Sequence, residues 1–321
     1  MQAILAVTIP FFALVLCGYL AGRSKILPEA TIPGLNLFVL YFALPCMLFR
    51  FGASLPVAQV LNPVVLVITL ITAVVLVVAT IALTRTEAVP MKDAALGALT
   101  VVWPNTGFMG VPLLATLLGP AAAGPVITTL LVDLFFTSSL CIALAQTGGA
   151  QNSHAPAQIG RLLRGTLANP LPAAIATGLL FSAFELRLPG PAETIIKMLG
   201  DAATPVALFT IGTVLWRAGQ HVHTRTPLQR YLPLAIVKLI VHPLVVLALG
   251  VAAIRLGAPL DSFTLTVIVL AAALPSASSV SLLAERYGAD NGRITRIIIS
   301  STVMAFVTFT LLAWLLHEPP P

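Results

Sequence analysis

Charge is the scarcest thing in this chain: 9% of its 321 residues are Asp, Glu, Lys or Arg, where a soluble domain carries roughly 25%. So few charges cannot cover a water-facing surface, and the chain reads as a polytopic membrane protein. Cysteine is nearly absent as well. Cys17, Cys46 and Cys141 all lie inside apolar runs with no CxxC spacing, which excludes a disulfide framework or thiolate metal site and makes them small buried hydrophobes. The net charge is +6, yet no dense basic stretch exists, which excludes a nucleic-acid partner. There is no Walker-type phosphate loop, which excludes ATP-driven action by this chain alone and leaves no cofactor implied. No GxSxG nucleophile motif is present either. Long polar inserts are missing too, so nothing outside the membrane could fold alone and the chemistry must be intramembrane.

What is there is hydrocarbon: 58% of residues are hydrophobic and the mean hydropathy is +1.02. A helix needs about 20 apolar residues to cross a bilayer. Ten such runs occur, near 3–22, 34–54, 64–83, 93–118, 124–146, 162–184, 193–216, 231–255, 263–287 and 292–316. The N-terminus opens directly into the first run, with Arg23 and Lys25 after it and no convincing small-x-small cleavage pattern. It reads as a first span rather than a removed signal peptide.

The loops set an expected orientation. Odd-numbered loops hold 12 of the 17 basic residues (Arg23, Lys25, Arg85, Lys92, Arg161, Arg164, Arg217, Arg225, Arg230, Arg286, Arg293, Arg296). Even-numbered loops hold 4, and Lys238 lies inside a span. The positive-inside rule then places odd loops in the cytoplasm and both termini outside. The halves also repeat. Residues 43–55 lie over residues 203–215 without a gap, matching Pro45 to Pro205, Phe49 to Phe209 and Gly52 to Gly212 among six identities in thirteen. Five spans per half is an odd number, so the repeat is expected to be inverted. Residues 1–146 form the first half, 147–160 a linker and 161–321 the second half.

Two spans are interrupted in matching places, the fourth through Val102-Trp103-Pro104-Asn105-Thr106-Gly107 and the ninth through Leu274-Pro275-Ser276-Ala277-Ser278-Ser279. Proline removes a backbone donor and clashes with the preceding turn. In hydrocarbon the freed peptide groups are tolerated only where protein or a polar cavity satisfies them. A matched pair of broken spans is therefore the pointer to a transporter's substrate site. The second half of a broken helix begins with free N–H groups and the positive end of its dipole, which suits an anion. Pro104, Asn105, Thr106 and Gly107 at one break, and Pro275, Ser276, Ser278 and Ser279 at the other, are the candidate substrate-binding residues. Capping and packing is the competing reading for the serines, and Trp103 and Phe108 are expected to pack rather than bind. Pro112 competes with Pro104 as the point where the first break falls.

Ionisable residues inside spans are few and are functional candidates by default. Asp133, mid-span, is a candidate proton carrier, a cation ligand or a structural partner of Lys238. Lys238 and His242 stand four residues apart on one helix face. Lys238 has snorkelling to the cytoplasmic edge as its alternative, and His242 a neutral core role. The three form the candidate coupling group for a proton or cation. No metal site is marked with certainty.

The run Asn105-Thr-Gly-Phe-Met-Gly-Val-Pro-Leu113 resembles the signature of the auxin efflux carrier family, and Leu274–Gly288 looks like that family's second crossover. The resemblance covers essentially the whole chain, whose short linker looks most like bacterial malonate or related dicarboxylate carriers. It implies an all-α fold of ten transmembrane helices in two inverted five-helix repeats, with broken helices 4 and 9 crossed (bile-acid sodium symporter-like, NhaA-like). Spans 1, 2, 6 and 7 would be a scaffold, and 3–5 with 8–10 a moving transport domain. It further implies a small carboxylate substrate, elevator-type alternating access, a homodimer through the scaffold helices, and a lipid-surrounded place in a bacterial inner membrane. Bile-acid symporters place a sodium-binding glutamate at the second crossover; here residues 275–279 hold no acid, which leaves Asp133 as the nearest coupling candidate. A cation/proton antiporter on the same plan and an intramembrane hydrolase using a serine with His242 are the competing functions.

Overall fold

The computed structural model describes residues 1–147, 169–220 and 226–316. Most of the expected linker, Arg161, Arg164, Arg225 and the opening of the sixth expected span lie outside the described residues. The rest is helical: α1 (Gln2–Arg23), α2 (Glu29–Ser54), α3 (Pro63–Thr84), α4 (Met91–Val102), α5 (Thr106–Leu118), α6 (Pro120–Gln146), α7 (Pro170–Ala183), α8 (Gly190–Gln220), α9 (Leu232–Arg255), α10 (Ser262–Ala272), α11 (Ser279–Arg286) and α12 (Asn291–Leu316). Among the described residues seven helical segments, those of α1, α2, α3, α6, α8, α9 and α12, are long and apolar enough to cross a membrane, and the chain is a multi-pass membrane protein. At the other three expected spans the helix is interrupted or shorter. The fourth is divided into α4 and α5, the ninth into α10 and α11, and α7 is what is described of the sixth.

Helix starts follow from local chemistry. A first turn has N–H groups without intrahelical acceptors, and Asn or Asp just ahead of it can supply one. Asn62 Oδ1 accepts from the amides of Val64 and Val65 at 2.9 and 3.2 Å. Asn169 Oδ1 accepts from Leu171 at 3.0 Å, and Asp261 Oδ1 from Thr264 at 2.7 Å. Partial burial pushes the Asp261 carboxyl up, but hydrogen bonds from the Thr264 hydroxyl and backbone amides outweigh it and hold the group below its ordinary value.

Among the described residues four helices widen to a π turn, over Val39–Ala43, Thr106–Gly110, Asp133–Thr137 and Val237–Val241. Three of them end two residues before a proline, Pro45, Pro112 and Pro243. A proline cannot donate to the preceding turn and its ring crowds that turn's carbonyl, so admitting one extra residue relieves the clash without breaking the helix. Pro112 therefore only widens α5, and the helix break falls at Pro104. The fourth π turn has no proline; there Thr137 donates to Asp133 Oδ1 at 3.2 Å.

Glycines let several helices pack backbone to backbone. A Cβ on Gly18 would lie 1.9 Å from the Phe209 carbonyl oxygen, and one on Gly212 would lie 1.9 Å from that of Val15. A Cβ on Gly178 would lie 2.5 Å from the Phe49 oxygen, and one on Gly52 would lie 3.1 Å from that of Ile175. These two contacts of α1 with α8 map onto the two contacts of α7 with α2 through the same 160-residue offset that relates Pro45 to Pro205. Small residues let backbones approach where no hydrophobic force drives helices together.

Contacts near the helix ends sort by loop parity. Odd loops meet odd loops: Arg217 Nε donates to Glu29 at 3.1 Å, the Asp290 amide to Asp93 Oδ1 at 2.8 Å, and buried Arg293 to the carbonyls of Arg230 and Asp93 at 2.8 and 3.1 Å. At the other end Arg50 pairs with Asp201 at 2.7 Å and the Ser182 hydroxyl donates to the Leu55 carbonyl at 2.8 Å. Cys141 is buried and Cys46 half-buried, but Cys17 is exposed. That corrects its reading as a buried hydrophobe: it stands on the outer face of α1, where lipid is the apolar neighbour.

Gly212→Ala is expected to cost about 1–3 kcal/mol through overpacking against the Val15 carbonyl. Gly34→Ala, where an added Cβ meets nothing within 4 Å, is expected to leave stability unchanged or slightly raised. Thermal unfolding of the purified protein in detergent checks both, and equal midpoints for the two variants would remove the close contact from the account.

Candidate functional site

The two helix breaks satisfy each other. After α4 the chain turns extended at Trp103, and Pro104 pairs antiparallel with Ser276 as an isolated bridge. The Asn105 amide donates to the Pro275 carbonyl at 2.9 Å, and the Ala277 amide donates to the Trp103 carbonyl at 3.0 Å. Ser276 completes the join from the side: its hydroxyl donates to the Thr100 carbonyl at 2.7 Å, and its amide to the Ser301 hydroxyl at 3.2 Å. Gly110 packs closely against the second break, where an added Cβ would lie 2.7 Å from Leu274 Cδ1 and the leucine tip would have to move.

A cavity of about 570 Å³ ends at this crossing, within the range of small-molecule sites. The breaks supply Trp103, Pro104, Asn105, Gly107, Phe108, Ala277, Ser278 and Ser279 to its lining; α2, α7 and α8 supply Leu40, Leu171 and Val214. It extends toward the odd loops, where Arg217 and Glu285 border it. The Asn105 side chain is 4% exposed, and neither its amide nor the Ser278 and Ser279 hydroxyls hydrogen-bond another of the described residues. These three groups are uncommitted. Thr106, Pro275 and Ser276 are buried beside the cavity but do not line it. Trp103 and Phe108, expected only to pack, form part of its wall.

Behind Pro104 lies a second, much smaller space of about 20 Å³, lined by Thr72, Thr129, Asp133 and His242 among others. It has room for one water-sized group. Asp133 Oδ2 and the Thr72 hydroxyl are both buried without a hydrogen-bond partner. Thr72 is a residue that sequence reasoning missed, although Thr69 and Thr72, close together in the otherwise aliphatic first half of α3, were an available signal, and both line this space.

Lys238 does not snorkel. It is 0% exposed and donates to the Ala272 carbonyl at 2.7 Å and toward His242 Nδ1 at 2.9 Å. The His242 ring is in turn hydrogen-bonded to the backbone of Val101. The His242 ring thus stands between the Lys238 ammonium and the backbone at the end of α4. Asp133 and Lys238 act on each other electrostatically but form no direct ion pair among the described residues. The structure thus brings Asp133 and His242 to one small space and ties Lys238 to His242. Among the described residues no group of three metal-ligating side chains converges.

This is the build of a membrane carrier: a polar, proline-broken crossing buried at the end of a cavity between helices. The profile of the family described as "Membrane transport protein" matches residues 3–313, and the chain belongs to that family, the auxin efflux carriers. It is 27% identical over 328 residues to a protein of Rhizobium meliloti (strain 1021) named "Putative malonate transporter", covering 99% of this chain and 97% of the relative. It is 28% identical over 309 residues to an "Uncharacterized transporter" of Methanothermobacter thermautotrophicus, covering 93% of each.

Ser276 and Ser278 separate support from contact. Ser276→Ala leaves the Thr100 carbonyl unpaired and is expected to cost about 1–3 kcal/mol. Ser278→Ala is expected to leave the melting midpoint unchanged, and an equal loss in both would place Ser278 in the structural network too.

Proposed function

We propose that the protein is a secondary carrier of small carboxylates such as malonate, binding the anion at the crossing of the two broken helices. The observation that carries this reading is the set of uncommitted groups at the cavity's end, the Asn105 amide and the Ser278 and Ser279 hydroxyls, beside the starts of α5 and α11. The N-terminal ends of those half-helices bring partial positive charge and free N–H groups to the same place. An oxyanion accepts hydrogen bonds from all of these donors, and Glu285, the carboxylate in the lining, stands toward the odd loops rather than among them. His242 is engaged by Lys238 and Val101 rather than by a serine, so the geometry favours a carrier over an intramembrane hydrolase.

The proposed architecture is ten spans in two inverted repeats. The glycine contacts related by 160 residues support it for α1, α2, α7 and α8, which form the scaffold and, in our reading, a homodimer interface. Helices α3–α6 and α9–α12 form the transport domain. The polar ties described above lie within one group or the other. Across the boundary stand the edge-to-face Phe12–Phe306 pair and a long Thr310–Thr8 contact of 3.4 Å. A boundary so lightly bonded supports elevator-type movement of one group along the other. With odd loops in the cytoplasm of a bacterial cell and both termini outside, the cavity faces inward. Asp133, His242 and Lys238 form the coupling group behind the crossing.

The test is the current evoked by malonate jumps on proteoliposomes, with isotope uptake for electroneutral exchange. Wild-type protein is expected to give a saturable signal, and Asn105→Ala to weaken apparent affinity at least about tenfold, as loss of a hydrogen bond to a charged group does. Wild-type affinity in that variant would remove Asn105 from the site, and no uptake across a panel of carboxylates would overturn the carrier reading. Asp133→Asn is expected to alter the dependence of transport on pH or sodium; unchanged dependence returns Asp133 to a structural role.

A further inference from the structure

A fully buried lysine that lacks a direct carboxylate partner needs another source of negative potential. Lys238 finds it in the backbone. Its ammonium donates to the Ala272 carbonyl at 2.7 Å, and Ala272 is the last residue of α10. Through His242, at 2.9 Å, it is linked to Val101 in the last turn of α4. Each helix end carries roughly half a negative charge on its unpaired carbonyls. The two first half-helices therefore point their negative ends at one place, and Asp133 adds its field from α6.

We propose that the Lys238 ammonium is a resident counter-cation: it occupies the seat that a bound monovalent cation would otherwise take behind the crossing and fastens the ends of α4 and α10 from α9. The Ala272 residue that the ammonium holds by its carbonyl also borders the small space lined by Asp133 and Thr72, and carbonyl, carboxylate and hydroxyl oxygens are the ligand chemistry of a small hard cation such as sodium. The lysine supplies that charge covalently, so the crossing needs no bound ion to hold its shape. Lys238 is in this sense a positioning residue. Among the coupling ions left open above, this disfavours sodium at this seat. The inference takes its meaning for transport from the carrier reading, but its test contains no substrate and fails or succeeds separately.

Removing the ammonium while keeping the carbonyls and Asp133 should create a cation site. In Lys238→Ala, the melting midpoint of the purified protein is expected to fall by about 10 °C, as loss of a buried ionic partner does. Sodium or methylammonium is expected to restore a large part of it saturably, against choline at matched ionic strength. The wild-type midpoint is expected to show no such cation-specific rise. Lys238→Gln, which retains one donor for the Ala272 carbonyl, is the second variant should the alanine protein not fold, and it is expected to show the same rise. A saturable sodium effect on the wild type overturns the proposal. So does a folded variant as stable as wild type, or one that is destabilised yet unmoved by either small cation. A lysine that merely packs would lower the midpoint without creating cation-specific recovery.

Discussion

Everything in this structure turns on two sets of peptide groups that have lost their helical partners inside the membrane. Each such group left unpaired in hydrocarbon costs several kcal/mol, and water is not at hand to relieve it. The chain solves the problem by bringing the two defects together. Asn105 donates to Pro275 and Ala277 donates to Trp103, so each break supplies what the other lacks. Neither is tolerable alone. Two segments about 170 residues apart in sequence must therefore meet, and the packing of α4, α5, α10 and α11 is fixed by that meeting.

Once the breaks are crossed, the polarity of the half-helices sorts the surrounding side chains. The ends carrying free carbonyls face Lys238 and His242, while the ends carrying free amides lie beside the cavity with Asn105, Ser278 and Ser279. In the proposed carrier a single ammonium on one side and an anion on the other would complement the same four helix termini. Pro104 borders both spaces and separates them with a ring that can neither donate a hydrogen bond nor relax into a helix. Binding on one side and the charge state on the other are thus one residue apart, which is a physical basis for coupling in the proposed carrier.

The breaks, the multi-pass class and the candidate ionisable residues were legible in the sequence because proline, glycine and isolated charge act locally. What needed the structure was direction. Ser276 and Ser278 are equivalent as letters, yet one hydroxyl holds Thr100 and the other lines the cavity, since side chains at a break obey no periodicity. The four-residue spacing of Lys238 and His242 showed their shared face, but whether the ammonium turned outward or inward depended on Ala272 arriving from another helix. Pro112 showed a missing donor without showing that one extra residue would absorb it. The contacts at Gly18 and Gly178 were hidden for a different reason: each answers to a carbonyl on a distant helix. Extending the 160-residue offset beyond the matched thirteen residues would have pointed to them.

The proposed movement asks for opposite properties on the two sides of one boundary. In a bilayer, apolar surface gains little by leaving lipid for protein, so helix association rests on close packing and hydrogen bonds. In α1, α2, α7 and α8 the glycines bring backbones into direct contact, and small displacements there would meet carbonyl oxygens at once. The other helices are joined by buried polar ties, Ser276 to Thr100, Arg293 to Arg230 and Asp93, and Lys238 to Ala272, which break only at the cost of unsatisfied groups. Between the two groups lie an aromatic edge contact and a long hydroxyl pair, interactions weak enough to be exchanged for others of the same kind as one surface slides past the other. Rigidity within each group and light bonding between them follow from where glycine, serine and charge were placed, and in the proposed carrier they would let a site buried at a crossing change sides without its hydrogen bonds coming apart.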